Sequence, residues 1–478
     1  MRPATKLWFL FGIATLVATL AQCGDGKAAQ DPGPGGKPPA QVRPPADAVR
    51  LLLSGAMLGR LEPCGCASGQ SGGLARRMQH VGALRNYDLL LEGGDVVEHG
   101  DELDLLKLFT ANTVLFGMEH RYDALGVGPN DLSLPRAEWM AFLAGTPVVA
   151  TNLSCAVPDW PGKAFVEKKV RDVTVRVASF LLELPAAAAA LEPKMSLLAP
   201  ALAWTAALAG APLTTRRIAF VHGGDAAVRA LIPQLDPAPD LVVGVDPSYI
   251  EPTSAATLVG GVPLVFTGIR GRALLAVSLF REQGHARAIC EVVPLPGSKT
   301  VPGGGGDPQV RDVIVAHRHE VKEAGVLAAM ARKLPTANGA AYVGSEACKT
   351  CHKGAYEVWE KSKHFGAWKT LEDAEKDPKR YGWPVTAYPD CVGCHVVGWR
   401  EQTGFLSYEE TPQLAGVGCE RCHGAGSDHM ATNGVKKLGL IGGIAPSLLC
   451  IQCHDFEQSP DFVYGNKWPL IQHGKEPK

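Results

Sequence analysis

Between residues 48 and 298 the apolar residues fall in short, near-continuous runs, separated by stretches whose apolar positions recur every three or four residues. "VRLLLSGAML" (49–58), "DLLLEGGDVV" (88–97), "TPVVATNL" (146–153), "RRIAFVHGG" (216–224), "DLVVGV" (240–245) and "PLVFTGI" (263–269) are rich in Val, Leu and Ile. They are too unbroken for half-exposed strands and predict strands covered on both faces. "GGLARRMQHVGALRNY" (72–87), opened by paired glycines, and "GDAAVRALIPQL" (224–235) predict intervening helices. The alternation predicts an α/β layered domain, with its chemistry in the loops that follow strand ends. "PGSKTVPGGGGDP" (296–308) interrupts the pattern, and "VRDVIVAHRHEVKEAGVLAAMARKL" (310–334) then reads as helix.

The first residues have a different pattern. Arg2 and Lys6 lead into "LWFLFGIATLVATLA" (7–21), too short for a membrane span and suited to the core of an export signal over 1–23. Cys23 follows Leu-Ala-x, as at a lipoprotein cleavage site, so a lipid tether on Cys23 stands beside simple cleavage or a retained anchor. Pro and Gly dominate 24–47, which reads as a linker. The organisation expected is therefore signal (1–23), linker (24–47), α/β domain (48–298), linker with helix (299–340) and a C-terminal domain (341–478). Such a protein would be periplasmic or held on the outer face of a membrane. A net charge of −1 over 478 residues gives no electrostatic case for a nucleic-acid partner.

Cysteine changes the picture at the C-terminal end. Eight of the 13 cysteines lie in four Cys-x-x-Cys-His motifs: Cys348/Cys351/His352, Cys391/Cys394/His395, Cys419/Cys422/His423 and Cys450/Cys453/His454. Two thiols at this spacing bond to haem vinyl groups, and the histidine that follows takes the proximal side of the iron. Zinc would account for the cysteine pairs but not for a histidine directly after each. Four c-type haems are expected. Only His364, His429 and His473 remain in this region as distal ligands, so three spare imidazoles face four irons. "KGAYEVWEKSKHFGAWKTLEDA" (353–374) contains no proline and reads as one helix, placing His352 and His364 ~18 Å apart along its axis. They cannot share an iron. His429, six residues after His423, has too short a path to wrap around the same haem, which again implies ligation across motifs.

"CHKGAYEVWEKSKHFGAWKTL", "DCVGCHVVGWREQTGF" and "GVGCERCHGAGSDH" resemble the tetrahaem cytochrome c-554 family, whose members carry electrons in the periplasm. The resemblance implies three bis-histidine haems and one five-coordinate haem, the open iron being that of His395. It also implies that His429 caps the first haem, His364 the third and His473 the fourth. Electron transfer to redox partner proteins is the function expected. The alternative is reduction of a small nitrogen species such as NO or hydroxylamine at the open iron.

The α/β region resembles the 5'-nucleotidase branch of the metallophosphoesterases through "SGGLARRMQHVGALR", "LLLEGGD", "YDALGVGPNDL", "VVATNL", "IAFVHGGD" and "GVPLVFTGIRGRALLAVSL". That family holds two metal ions at its strand ends to activate water. Here its first-strand Asp-x-His falls on Ala56 and Leu58, its Gly-Asn-His-Glu on Gly128, Pro129, Asn130 and Asp131, and its closing His-x-His on Asp246 and Ser248. Asp95 and His222 stay in register, and a phosphoesterase is the least favoured reading. The fold expected is multidomain: an α/β metallophosphoesterase-like sandwich followed by a mostly α, haem-packed tetrahaem cytochrome c domain.

Cys64 and Cys66 stand in the loop "EPCGCASGQSGG" between the first strand and first helix. Two readings stay open: bridges to Cys155 and Cys290, or a redox-active dithiol, its thiolate favoured by a helix N-terminus and by Arg76 and Arg77. His80, His99, His120, His285, His317 and His319 share no spacing and read as surface residues.

Overall fold

A computed structural model describes residues 43–63, 70–84, 86–157, 159–297, 305–336, 339–377, 381–436 and 444–474. The expected export signal, Cys23, most of the Pro/Gly linker, Cys64 and Cys66 lie outside these residues. Pro44–Lys478 forms a single unit.

In chain order the strands are β1 (Val49–Ser54), β2 (Leu89–Glu92), β3 (Ala124–Gly126), β4 (Val148–Val149), β5 (Leu153–Cys155), β6 (Val166–Val170), β7 (Val173–Leu181), β8 (Met195–Leu197), β9 (Arg216–His222), β10 (Leu241–Val245), β11 (Thr257–Val259), β12 (Val262–Phe266), β13 (Ala273–Glu282) and β14 (His285–Pro294). Two six-stranded mixed sheets result, ordered β14-β13-β1-β2-β3-β4 and β11-β12-β10-β9-β7-β6. The alternation of each strand explains why its apolar run is unbroken. On β1, Leu51 and Leu53 enter the core between the sheets with Ile218, Phe220, Val243 and Leu275. Leu52 points the other way, to Leu74, Met78, Leu108 and Ile314 of the outer helices. On β9, Ala219 and Val221 face outward to Trp204 and Val228. Helices therefore lie on the outer faces of both sheets, and these residues of β1 and β9 have an apolar environment on whichever side they face.

The pattern of apolar runs does not mark β6, β7, β13 and β14. The β13–β14 hairpin carries charged and partly exposed positions, Arg281, Arg287 and Glu291 among them, and its alternating burial is the half-covered kind.

Short helices make up the C-terminal region. The single helix expected over 353–374 is two, Lys353–Glu360 and Ala367–Lys376. Between them Ser362 Oγ donates to the Trp359 carbonyl at 2.6 Å and accepts from the His364 N–H at 3.2 Å. A serine satisfying local backbone groups in this way offers the chain an alternative to the next helical turn.

One apolar cluster crosses from the α/β part into this region. Leu103, Val321, Val326 and Met330 share it with Trp368, Leu371, Trp383, Tyr388, Val392 and Phe405. Polar contacts reinforce it. Lys107 Nζ lies 2.8 Å from Asp390, Arg400 Nη1 3.2 Å from Asp101, and Arg318 reaches Glu62 at 2.8 Å while stacking over Trp383 at 4.0 Å. His317, expected at the surface, is buried in this junction at 2% exposure. Its Nδ1 is 2.9 Å from Thr110 Oγ1 and its Nε2 3.3 Å from the Tyr388 hydroxyl. Two neighbouring helices and a tyrosine cover it, a burial that its position in the sequence alone does not reveal.

Candidate haem centre and the former metal cleft

The loop after β1 keeps an unusual backbone. Ala56, Leu58 and Asp95 all have left-handed φ, at 48°, 50° and 56°. For non-glycine residues this costs on the order of 1 kcal/mol each. Backbone bonds maintain it: Ala56 N donates to the Gly94 carbonyl (2.8 Å), Leu58 N to Asp95 (2.9 Å) and Arg270 N to Ala56 (2.8 Å). Ala56 and Leu58 are buried apolar side chains at positions where the resembled family has metal ligands. The two ligands left in register are occupied by other partners. His222 Nε2 donates to the Gly93 carbonyl at 2.7 Å, with Nδ1 3.6 Å from Asp95, and both side chains are 2% exposed. Asp131 accepts from the N–H groups of Asp95, Val96 and Gly128 at 2.7–3.0 Å. Burial and the adjacent Asp95 carboxylate push it up to about 7. Among the described residues no three His, Cys, Asp or Glu side chains come together in a way that could hold a metal ion.

Arg76 and Arg77 differ from expectation. Arg77 is fully buried and pairs with Glu92 at 2.9 Å beside Ser54 and Tyr122, so its charge is already compensated within the core. Arg76 Nη1 donates to the Gln70 carbonyl at 2.6 Å, and so lies beside the chain that follows the Cys-Gly-Cys. Cys155 and Cys290 carry free thiols, both raised by burial, Cys290 to about 11.

The histidines of the C-terminal region form facing pairs. His352 and His429 have ring centroids 6.1 Å apart at 21°, His364 and His454 6.1 Å at 38°, and His423 and His473 5.7 Å at 39°. Two imidazoles on opposite sides of one iron, each bonded at about 2 Å, place their centroids roughly 6 Å apart. All three pairs fit that spacing. The first pair is the one expected, but the other two are exchanged: His364 faces the fourth motif and His473 the third. The helical reading required only that His352 and His364 serve different motifs, as these facings have it; the pairing of His364 with the third motif came from the family resemblance.

Ring hydrogen bonds set the tautomers. His429 Nδ1 donates to the Lys436 carbonyl at 2.8 Å and His473 Nδ1 to Ile471 at 3.1 Å. His395 Nδ1 donates to Ala367 at 2.6 Å, while His454 Nδ1 meets Ser459 Oγ at 2.9 Å. Each leaves Nε2 available as a metal ligand, oriented from behind. Burial lowers His364, His395 and His454, and burial with neighbouring imidazoles lowers His423 to about 4, which favours the neutral form that a metal requires. His395 has no facing histidine among the described ring contacts.

Sulfur contacts group the motifs in twos. Cys348 lies close to Cys419, and Cys394 to Cys453, so first meets third and second meets fourth. Arg421, inside the third motif, extends its guanidinium to Cys453 Sγ at 3.7 Å and links the two groups. Cys351 differs from the other motif cysteines in exposure. Cys348, Cys391, Cys394, Cys419, Cys422, Cys450 and Cys453 are half-buried, whereas Cys351 is exposed. The reason is its place in the turn after the helix Ser345–Lys349, where Cys351 N donates to the Cys348 carbonyl at 3.2 Å. Residues 349–354 are all exposed, so the protein's own side chains leave this corner of the first motif at the surface. The spacing from Cys348 and the following His352 still suit a haem thioether, but packing by the chain does not enclose that sulfur.

Two polar cavities lie where these motifs meet the α/β part. One, of about 350 Å³, lies between Arg60, Asp101, Lys107, Asp390, Arg400 and Asp455. The other, of about 150 Å³, includes Pro63 and Gln70, the described residues on either side of the Cys-Gly-Cys loop, and faces Phe456 and Glu457. There Gln70 Nε2 donates to the Glu457 carbonyl at 2.6 Å, and Arg270 pairs with its carboxylate at 2.7 Å.

The chain is similar to solved structures of the 5'-nucleotidase precursor of Thermus thermophilus (17% identity, TM-score 0.48, 60% of this chain and 61% of that one) and the NAD nucleotidase of Haemophilus influenzae (12%, 0.48, 77% and 74%). At its other end it is 35% identical over 96 residues to cytochrome c-554 of Nitrosomonas europaea. That match takes in 18% of this chain and 40% of the relative, so the chain spans about two fifths of the relative's length. Residues 347–424, which hold the first three Cys-x-x-Cys-His motifs, match the family described as cytochrome c554 and c-prime.

Proposed function

We propose that the protein is an exported c-type cytochrome that passes electrons between redox partner proteins through four covalently bound haems. The facing of His352 with His429, His364 with His454 and His423 with His473 carries this reading, since each pair has the spacing of a six-coordinate iron. When bound, such haems supply one-electron couples that exchange without ligand loss. The chain's own part is to aim the imidazoles of His395, His429, His473 and His454, through the Ala367, Lys436, Ile471 and Ser459 contacts. Export through residues 1–23, with a lipid on Cys23 as tether, agrees with covalent haem attachment outside the cytosol.

Cys64 and Cys66 are proposed as a redox dithiol whose oxidation to a disulfide gives two electrons, passed one at a time through the fourth haem to the others, and two protons, released to solvent. In support, Gln70 is bonded to Glu457, three residues past His454. Pro63, next to Cys64 in the chain, lines the same cavity. A second reading rests on His395. With His364, His429 and His473 facing other motifs, its iron would keep one side open, and a small nitrogen species such as NO or hydroxylamine could bind and be reduced there. Apart from that dithiol the α/β part acts as a scaffold, and not as a phosphoesterase.

A redox titration of the purified protein, following haem spectra and thiol labelling of Cys64 and Cys66 together, tests the proposal. Four haems by pyridine haemochrome, with dithiol and haem potentials close enough to exchange, are expected. Fewer than four haems overturns the haem assignment, and a dithiol titrating far below every haem overturns the coupling. A high-spin ferric signal that disappears on adding NO supports the second reading, whereas four low-spin haems exclude it. Nucleotide hydrolysis with added manganese or zinc would restore the hydrolase.

A further inference from the structure

Glu420 is one of the two variable residues inside the third motif, Cys-Glu-Arg-Cys-His, and nothing in the motif chemistry requires a carboxylate there. It is nevertheless buried, at 3% exposure. Its Oε1 accepts from Gly426 N at 2.8 Å and Val343 N at 3.0 Å, and its Oε2 from Gly344 N at 2.7 Å and Val343 N at 3.1 Å. Gly344 precedes the helix Ser345–Lys349, which carries Cys348. Gly426 precedes the helix Ser427–Ala431, which carries His429. One side chain thus ties together the start of the helix bearing a first-motif thiol and the start of the helix bearing the imidazole opposite His352. Ser345 Oγ accepts from Cys419 N at 3.0 Å, and Ser427 exchanges two bonds with Ala341, at 2.8 and 3.1 Å, so the joint is closed on both sides.

We propose that Glu420 is a positioning residue for the first haem, supplied by the third motif: its carboxylate sets the distance between His352 and His429. The inference rests on the reading of the motifs as haem sites. A carboxylate suits the task because three N–H groups converge on it and it has acceptors only. Glutamine keeps the shape but has one acceptor oxygen and turns an NH₂ toward donors on the other side, so either the Gly344 or the Gly426 bond is lost. Freed at its start, the helix Ser427–Ala431 is retained chiefly through Ser427 and can swing His429 off the iron.

The test is the ferric spin state of E420Q in the full-length haem protein, by electron paramagnetic resonance and optical spectra. Wild type is expected to show high-spin and low-spin haem at about 1:3, and E420Q to move toward about 2:2. Added imidazole should return E420Q to the wild-type ratio, because it occupies the position His429 leaves. A purely structural role would lower the melting temperature without changing this ratio, and an unchanged ratio overturns the proposal. If E420Q does not accumulate with haem, Gly426→Ala decides. Its added methyl would stand 3.2 Å from Glu420 Oε1 and should give the same imidazole-reversible shift in a smaller fraction of molecules. A Gly426→Ala protein with the wild-type ratio equally overturns the inference. Wild type without haem would instead defeat the reading on which it rests.

Discussion

His317→Gln removes a buried imidazole from the joint between the α/β part and the chain leading into the second motif, and its effect should depend on pH. Thr110 Oγ1 gives its proton to the Leu106 carbonyl at 3.0 Å, so it accepts from His317 Nδ1–H, and Nε2 then accepts from the Tyr388 hydroxyl. The neutral ring satisfies both contacts. Burial, then the Lys107 and Arg318 cations, lower the imidazole to about 3. An unfolded histidine titrates near 6.5. As pH falls the unfolded chain takes up this proton first, so the contribution of His317 to stability is complete above about 6.5 and is lost progressively down to about 3. At pH 5 the loss is roughly 1.36 kcal/mol for each of 1.5 pH units, or about 2 kcal/mol. With an unfolding entropy of about 2.1 cal/mol/K per residue over roughly 430 residues, that corresponds to about 2 °C in melting temperature. The assay is thermal unfolding of wild type and variant at pH 8 and pH 5 at one ionic strength. Comparing the two proteins cancels the titration of groups common to both, the raised Asp131 included. The variant should melt below wild type at pH 8, having lost the Thr110 and Tyr388 contacts, and the gap should narrow by about 2 °C at pH 5. Melting curves that stay parallel between the two pH values would refute the buried, neutral assignment of His317.

Two further changes probe the haem pairings and the joint between the two parts. His364→Ala should turn one low-spin haem high-spin, and adding His454→Ala should produce no second high-spin signal, because the two imidazoles serve one iron; two independent signals would separate them. Asp390→Asn leaves Lys107, 7% exposed in its side chain and held above the ordinary lysine range by Asp390, Tyr388 and Asp104 despite its burial, without its nearest countercharge. Breaking such a pair from one side costs about 3–5 kcal/mol, so the melting temperature should fall by about 3–5 °C, whereas a Lys107→Met/Asp390→Leu double variant should recover most of it.

Much of this was legible because the chemistry is local. A Cys-x-x-Cys-His motif carries its own geometry, and a strand covered on both faces shows itself as an unbroken run such as "VRLLLS". What the sequence hid depends on contacts between distant segments. The helix break at 361–366 contains no proline, and Gly366, just before the second helix, was its one sign in the sequence. His317 gave no sign of burial because its neighbours, Thr110 and Tyr388, lie 207 and 71 residues away. The exposure of Cys351 was equally hidden, since four motifs of identical spacing do not say which of them lies at the surface. Glu420 and Arg421 are the unspecified positions of a motif, which a reader of the motif skips.

The former metal cleft and the haem region explain each other through position. A phosphoesterase cleft needs ligands at the strand ends and an open mouth. Here the strand-end ligands are alanine, leucine and a histidine already bonded to the backbone, while the left-handed loop at 56, 58 and 95 persists because Gly94, Asp95 and Arg270 hold it by main-chain bonds that do not depend on side chains. Arg270, whose N–H maintains that loop at Ala56, also grips Glu457 beside the fourth motif with its guanidinium. The same residue therefore holds the loop after β1 and fastens the segment after the fourth motif beside it.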